Sequence, residues 1–184
     1  MNFQELFKLR QSVRKYQEKP VEREKLEKLI ESVRLAPSAS NSQPWKLILV
    51  DEPELKNKVA NATFSKLVAF NKFTLQAPVL AVLVIEKPRL ITQIGGSVKN
   101  REFPLIDIGI AAEHFCLQAA EIGLGTCMMG WFNEKKIKQL LNIPRKKRIG
   151  LVISLGYAPE DYKLREKIRK SVNEMCSFNS YEDL

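Results

Sequence analysis

The run Arg10-Gln11-Ser12-Val13-Arg14 sets two permanent cations and a hydroxyl at alternate positions, just past a short stretch of helical pattern. In an extended chain, alternate side chains point the same way. Two guanidinium forks and a hydroxyl converging on one point would cradle a phosphate, because Arg engages planar oxyanions through paired, charge-assisted hydrogen bonds. Such a site would take a phosphorylated small molecule. The same pentapeptide, taken alone, also reads as a solvated basic turn, which is the commoner case. Near the other end, Arg165, Lys167, Arg169 and Lys170 pose the same choice between an exposed basic tail and further phosphate ligands.

A second stretch with site character is Ala36-Pro37-Ser38-Ala39-Ser40-Asn41-Ser42-Gln43-Pro44-Trp45, small polar side chains bracketed by prolines. That composition requires a loop. Other chemistry is poorly represented. The cysteines Cys116, Cys127 and Cys176 are odd in number, widely spaced and without a C-x-x-C pair, so neither a metal site nor a disulfide framework is expected, and a reducing compartment fits. The single histidine, His114, lies on an apolar helical pattern and reads as a packed residue without a catalytic role.

The elements that must carry these residues follow from periodicity. Asn2 can cap a short helix with an apolar face of Phe3, Leu6 and Phe7, which delivers Arg10 to the cradle. Pro20 resets the chain, and Leu26, Leu29, Ile30, Val33 and Ala36 mark a helix over Val21 to Ala36, with Glu22 and Glu24 in its first turn. A strand over Lys46 to Val50 and a modest helix over Glu54 to Ala60 follow, then a helix over Phe64 to Gln76 with Asn71 near its end. Pro78 to Ile85 is almost purely apolar and reads as a central strand covered on both faces. Lys87 to Pro104, with Gly95-Gly96, reads as a loop. Leu105 to Ile122 is an apolar helix with Ile106, Ile110, Ala111, Phe115, Leu117 and Ala120 as burial candidates, ended by Gly123 and Gly125. Thr126 to Trp131 is a short extended piece, Asn133 to Leu141 a helix, and Ile149 to Leu155 a strand that closes the sheet.

Length and charge bound the rest. At 184 residues one domain over 1–184 is the simplest expectation, large enough to bury roughly 70% of its unfolded surface. Hydrophobic residues at 45% and charged ones at 28% are ordinary for a soluble globular chain. The net charge of +9 suits an anionic ligand, but the Lys and Arg residues are scattered and no nucleic-acid module is visible, so no nucleic-acid partner is expected. No run approaches the ~18 apolar residues of a membrane span, and the first ten residues lack an apolar leader core. The expected location is cytoplasmic.

Together these segments resemble the FMN-dependent nitroreductase family over nearly the whole chain. The resemblance rests on R-x-S-x-R after the first helix, A-P-S-x-x-N-x-Q-P-W at Ala36 to Trp45, Asn71 and Ala77-Pro78 before the apolar strand, and the helix starting near Asp107. It continues through Gly123-Leu124-Gly125, Gly130-Trp131, Leu141-Asn142-Ile143-Pro144, Leu155-Gly156-Tyr157 and the basic tail. It implies an α+β fold, helices around a mixed sheet, and an intertwined homodimer with FMN at both interfaces. Arg10, Ser12 and Arg14 then match phosphate and ribityl contacts, with Gln11 giving its backbone alone. Pro37, Ser38, Ala39, Ser40 and Asn41 match the loop that approaches the flavin from the partner chain. Asn71 resembles the residue bonding the pyrimidine edge, Met129 and Gly130 the segment facing N5, and Lys167 and Arg169 the tail's phosphate ligands.

The implied activity is hydride transfer from NADH or NADPH through FMN to an electron-poor small-molecule acceptor such as a nitroaromatic or quinone, with no catalytic side chain of the protein's own. Other flavin chemistry of the family (dehalogenation, dehydrogenation or flavin breakdown) and non-catalytic flavin binding are the alternatives. Three departures stand out. Gln11 occupies a place where many members carry a second Arg, Ser171 replaces a common tail proline, and the chain is short between Lys87 and Pro104, where larger members insert helices over the substrate pocket.

Overall fold

A computed structural model describes residues 2–90, 92, 96 and 101–181. Its centre is strand β2 (Val79–Ile85), buried at every position but the last. β2 lies antiparallel between β1 (Trp45–Val50) and β4 (Arg148–Gly156), and β4 pairs on its far side with β3 (Gly125–Met129). The apolar run therefore lies inside the sheet, as its composition requires. Ile149 to Leu155 does not close the sheet as expected: β4 is an inner strand and the shorter β3 takes the edge. The named ladders are all antiparallel, and among the described residues the parallel component of the expected mixed sheet is one bridge, Ser12 to Thr126.

Period-2 alternation divides β2 between two apolar layers. Val79, Ala81 and Leu83 face helices α2 (Arg23–Arg34) and α4 (Phe103–Glu121), whereas Leu80, Val82 and Val84 face α3 (Pro53–Ala60), α5 (Glu134–Leu140), Val13 and Tyr16. Helices on both faces of the sheet give the α+β architecture. α4 buries Ile108, Ala111, Ala112, Phe115 and Ala119, whose spacing repeats one helical stripe. Ile106 lies on the opposite side and is 54% exposed, so it is not core, and Ile110 and Leu117 are only half-buried. Gly123, at φ 79, turns the chain out of α4 in the left-handed conformation that glycine adopts without a steric cost.

Three further expectations are corrected. The stretch Phe64 to Gln76 is not an α-helix: only Lys72–Leu75 forms a 3-10 turn, because the Ser65 hydroxyl accepts from Val68 N–H and a tight local turn replaces the first helical turn. The loop over Lys87 to Pro104 is partly helical, since Leu90, Thr92 and Gly96 have helical backbone and Phe103 and Pro104 already belong to α4. Burial of Thr92 supplies what its local propensity lacks; Gly95 lies outside the described residues. The third concerns α1 (Phe3–Leu9), which is capped by Asn2 as expected: Asn2 Oδ1 accepts from Glu5 N–H and Glu5 accepts from Asn2 N–H, both at 2.9 Å. Its Phe3 and Phe7, however, stack edge to face in solvent rather than against this chain's core.

Candidate functional site: a cationic cradle beside the edge strand

Val13 N–H donates to Thr126 O at 2.8 Å and Ser12 bridges Thr126 in parallel, so residues 12 and 13 extend along the free side of β3. Val13 points into the core and leaves Ser12 and Arg14 on the other side. This close approach depends on Gly125: a Cβ there would lie 2.6 Å from Val13 Cγ2. Tyr16 fixes the far end, its buried hydroxyl 2.9 Å from Val13 O and 2.7 Å from Ser154 Oγ. Burial pushes that phenol far above its usual range, so it serves as a neutral hydrogen-bonding group.

The tail folds back along this strand. Arg14 N–H donates to the Tyr162 hydroxyl at 3.0 Å, Arg165 N–H donates to Gln11 Oε1 at 3.1 Å, and Gln11 Nε2 donates to Lys163 O at 3.3 Å. The Arg165 guanidinium donates to Ser12 O, and Lys167 Nζ to Arg10 O at 2.5 Å. Gln11 therefore contributes more than backbone. Its amide clamps the tail with both ends, a role an arginine could not copy because it has no acceptor.

Between strand and tail lies a cavity of about 320 Å³ that brings Arg10, Gln11, Ser12 and Arg14 together with Lys167 and Arg169. Arg165 lines it as well, while Lys170 does not. Arg165 thus joins Lys167 and Arg169, and the i, i+2, i+4 spacing of the three repeats that of the strand. Ser171, the residue in place of proline, instead caps α6 (Val172–Met175) by accepting from Glu174 N–H at 3.3 Å. Among the described residues the cavity walls carry Arg10, Arg14, Arg165, Lys167 and Arg169 against one acid, Glu166. From outside the cavity, Glu113 lies 3.6 Å from Arg10. Desolvation, reinforced by Arg10, Arg169 and Arg165, holds the Lys167 ammonium below the usual lysine range. Cations clustered around a hydroxyl in this way are suited to binding an anion. A phosphate ester fits it.

The remaining candidates form two other groups. Asn71 is buried beyond the end of β3, where its Nδ2 donates to Thr63 O at 3.1 Å and Trp131 O at 3.0 Å, leaving Oδ1 as the atom that could meet a ligand. Met129 is buried at the end of β3; Gly130 beside it is exposed, and a Cβ added there would meet nothing within 4 Å. Open space thus adjoins the segment expected to face a ring. Pro37, Ser38, Ala39, Ser40 and Asn41 stand apart, and none of them lines the cationic cavity. Their loop turns through Ser40 and Asn41 at positive φ, with Ser38 Oγ accepting from Gln43 N–H at 2.8 Å.

Comparison with known proteins identifies the family of the fold. The Nitroreductase family profile matches residues 8–157. A nitroreductase family protein from Clostridium novyi NT is 36% identical, with a TM-score of 0.78 over 95% of this chain and 91% of that one. An FMN-dependent nitroreductase from Clostridium difficile R20291 is 28% identical, with a TM-score of 0.78 over 96% and 98% of the two chains. A relative from Archaeoglobus fulgidus, provisionally named NADH dehydrogenase/NAD(P)H nitroreductase, is 31% identical over 84% of this chain and 83% of its own. With the profile spanning both the cradle strand and the whole sheet, the chain belongs to the nitroreductase family.

Proposed function

We propose that this protein is an FMN-dependent NAD(P)H oxidoreductase acting on electron-poor small molecules such as nitroaromatics or quinones. The cationic cavity carries the proposal, because its Arg10, Ser12, Arg14, Arg165, Lys167 and Arg169 have the charge and geometry to hold the FMN phosphate. The redox chemistry, hydride accepted from NAD(P)H and delivered to the acceptor, is what FMN supplies when bound. The chain's own part is binding and orientation. Arg10 and Arg14 neutralise the phosphate, the Ser12 hydroxyl donates to it, and Gln11 keeps the tail cations in place. Asn71 Oδ1 accepts from the ring's pyrimidine edge, and the open space at Gly130 leaves one side for the reacting molecules.

We read the working unit as a homodimer in which Pro37 to Asn41 meet the flavin held by the other copy. Apolar surface unsatisfied within one chain supports this: Phe3 and Phe7 on α1, Leu105 and Ile106 on α4, and Ile168, Val172 and Phe178 in the tail are all exposed. Three unpaired thiols suit a cytoplasmic setting. Among the described residues no helix is long and apolar enough to cross a membrane.

The test is to add FMN to flavin-free protein and then follow NADH and NADPH oxidation with a nitroaromatic acceptor. Bound yellow flavin and turnover well above that of free FMN are expected. Protein that stays colourless defeats the cofactor assignment; coloured protein without turnover leaves only a flavin-binding protein.

A further inference from the structure

Asp107, on α4, is 2% exposed, and among the described residues its buried Oδ2 has no hydrogen-bond partner. Its other oxygen is engaged far away in sequence: Oδ1 accepts from the main-chain N–H of Ala39 at 3.0 Å, across 68 residues. On the other side of Ala39, its carbonyl accepts from Thr92 Oγ1 at 3.4 Å. Ala39 is thus held through both of its main-chain polar groups, directly before Ser40 at φ 52 and Asn41 at φ 49. Left-handed backbone at non-glycine residues is costly and persists where the surroundings over-determine it.

A polar group buried with an oxygen unsatisfied also costs stability, a cost that an apolar residue at 107 would not carry. What Asp107 contributes is therefore the placement of one peptide rather than packing. We propose that Asp107 is a positioning residue for the flavin-facing loop: by fixing Ala39 it sets the turn that presents Ser38, Ser40 and Asn41 to FMN. The link to FMN rests on the function proposed above, whereas the hold on Ala39 does not.

The test separates the two. Asp107→Ala removes the acceptor, and Asp107→Ser does the same with a side chain too short to reach Ala39, which keeps the experiment valid should the alanine variant fail to fold. Asp107→Asn retains a carbonyl oxygen where Oδ1 lies. Amide hydrogen exchange of Ala39 is measured in flavin-free protein, with β2 amides as the internal control, and FMN affinity by quenching of flavin fluorescence. In the alanine and serine variants, Ala39 should exchange at least about tenfold faster while β2 is unchanged, and FMN affinity should fall about tenfold. The asparagine variant should restore both to within about twofold of the wild type.

Unchanged exchange at Ala39 in the alanine and serine variants overturns the proposal, as does an asparagine variant that folds but behaves like alanine. Faster exchange with wild-type FMN affinity overturns the connection to the flavin site. If the wild type binds no FMN, the functional reading fails instead, and the exchange data still decide whether Asp107 holds Ala39.

Discussion

The ammonium of Lys167 donates to the main-chain carbonyl of Arg10 at 2.5 Å, joining residues 157 apart in sequence. It is one of several bonds that fasten the tail through the strand's main-chain groups and through Gln11, rather than through the side chains of Ser12 and Arg14. Tail and strand therefore form one basic wall. Removing charge from either should be felt by the same anion.

Arg14 and Lys15 give the plainest contrast. Arg14 lines the cationic cavity, whereas Lys15 lines a separate cleft with Pro20 and Lys56. Arg14→Ala should weaken FMN binding by about 1.5 to 3 kcal/mol, roughly tenfold to a hundredfold, because it removes a hydrogen bond to a charged group. Lys15→Ala should leave the dissociation constant within about twofold. Equal losses in titrations of the two variants would mean that alternation does not select the phosphate-facing side.

Gly125→Ala tests how the cradle strand is seated. The added methyl would lie 2.6 Å from Val13 Cγ2 and 2.8 Å from Val13 Cβ, so the strand must move off β3. Overpacking of this kind costs about 1 to 3 kcal/mol. Thermal unfolding should report the loss, and FMN affinity should fall with it, since Ser12 shifts with Val13. An alanine variant with wild-type stability would show that the strand yields freely and is not set by this contact.

The cradle could be read from sequence because alternation along an extended strand is a local rule, and the tail's Arg165, Lys167 and Arg169 obey it too. The proline-bracketed loop was legible for the same reason. The clamp made by Gln11 and the bond from Asp107 to Ala39 were not, because their partners lie as much as 154 and 68 residues away and no spacing records them. The helix expected over Phe64 to Gln76 failed because its apolar residues fit a helical period while Ser65 turns the chain locally. Phe3, Phe7 and Ile106 showed that periodicity finds an apolar face without saying what covers it.

Lys167 also makes a prediction in pH. Desolvation and its cationic neighbours depress its pKa in the free fold, and a bound phosphate would raise it again by favouring the ammonium. The sign follows: FMN affinity attributable to Lys167 is complete below the depressed free-state pKa. It falls as pH rises toward the bound-state pKa and is lost above that value. Wild-type affinity should therefore decline on the alkaline side, while Lys167→Arg, whose guanidinium stays charged, should show a flatter profile. Parallel alkaline declines in the two proteins would assign the titration to another group.

The last prediction concerns the composite site. Arg14 lines the cationic cavity, while Ser38 belongs to the loop that stays outside it within one chain. If the loop serves the other copy's flavin, each site takes its phosphate pocket from one chain and its loop from the partner. Arg14→Glu would then damage both phosphate pockets of a homodimer, and Ser38→Trp would block both ring approaches, so each variant alone should lose FMN-dependent turnover. In a heterodimer of the two, one site receives both lesions and the other receives neither. Co-refolding the variants and isolating the mixed dimer with two affinity tags should return about half the wild-type activity per dimer, as one sound site of two requires. A stable mixed dimer that recovers neither flavin nor turnover would place both segments in the same chain's site and remove the reason for the exchange.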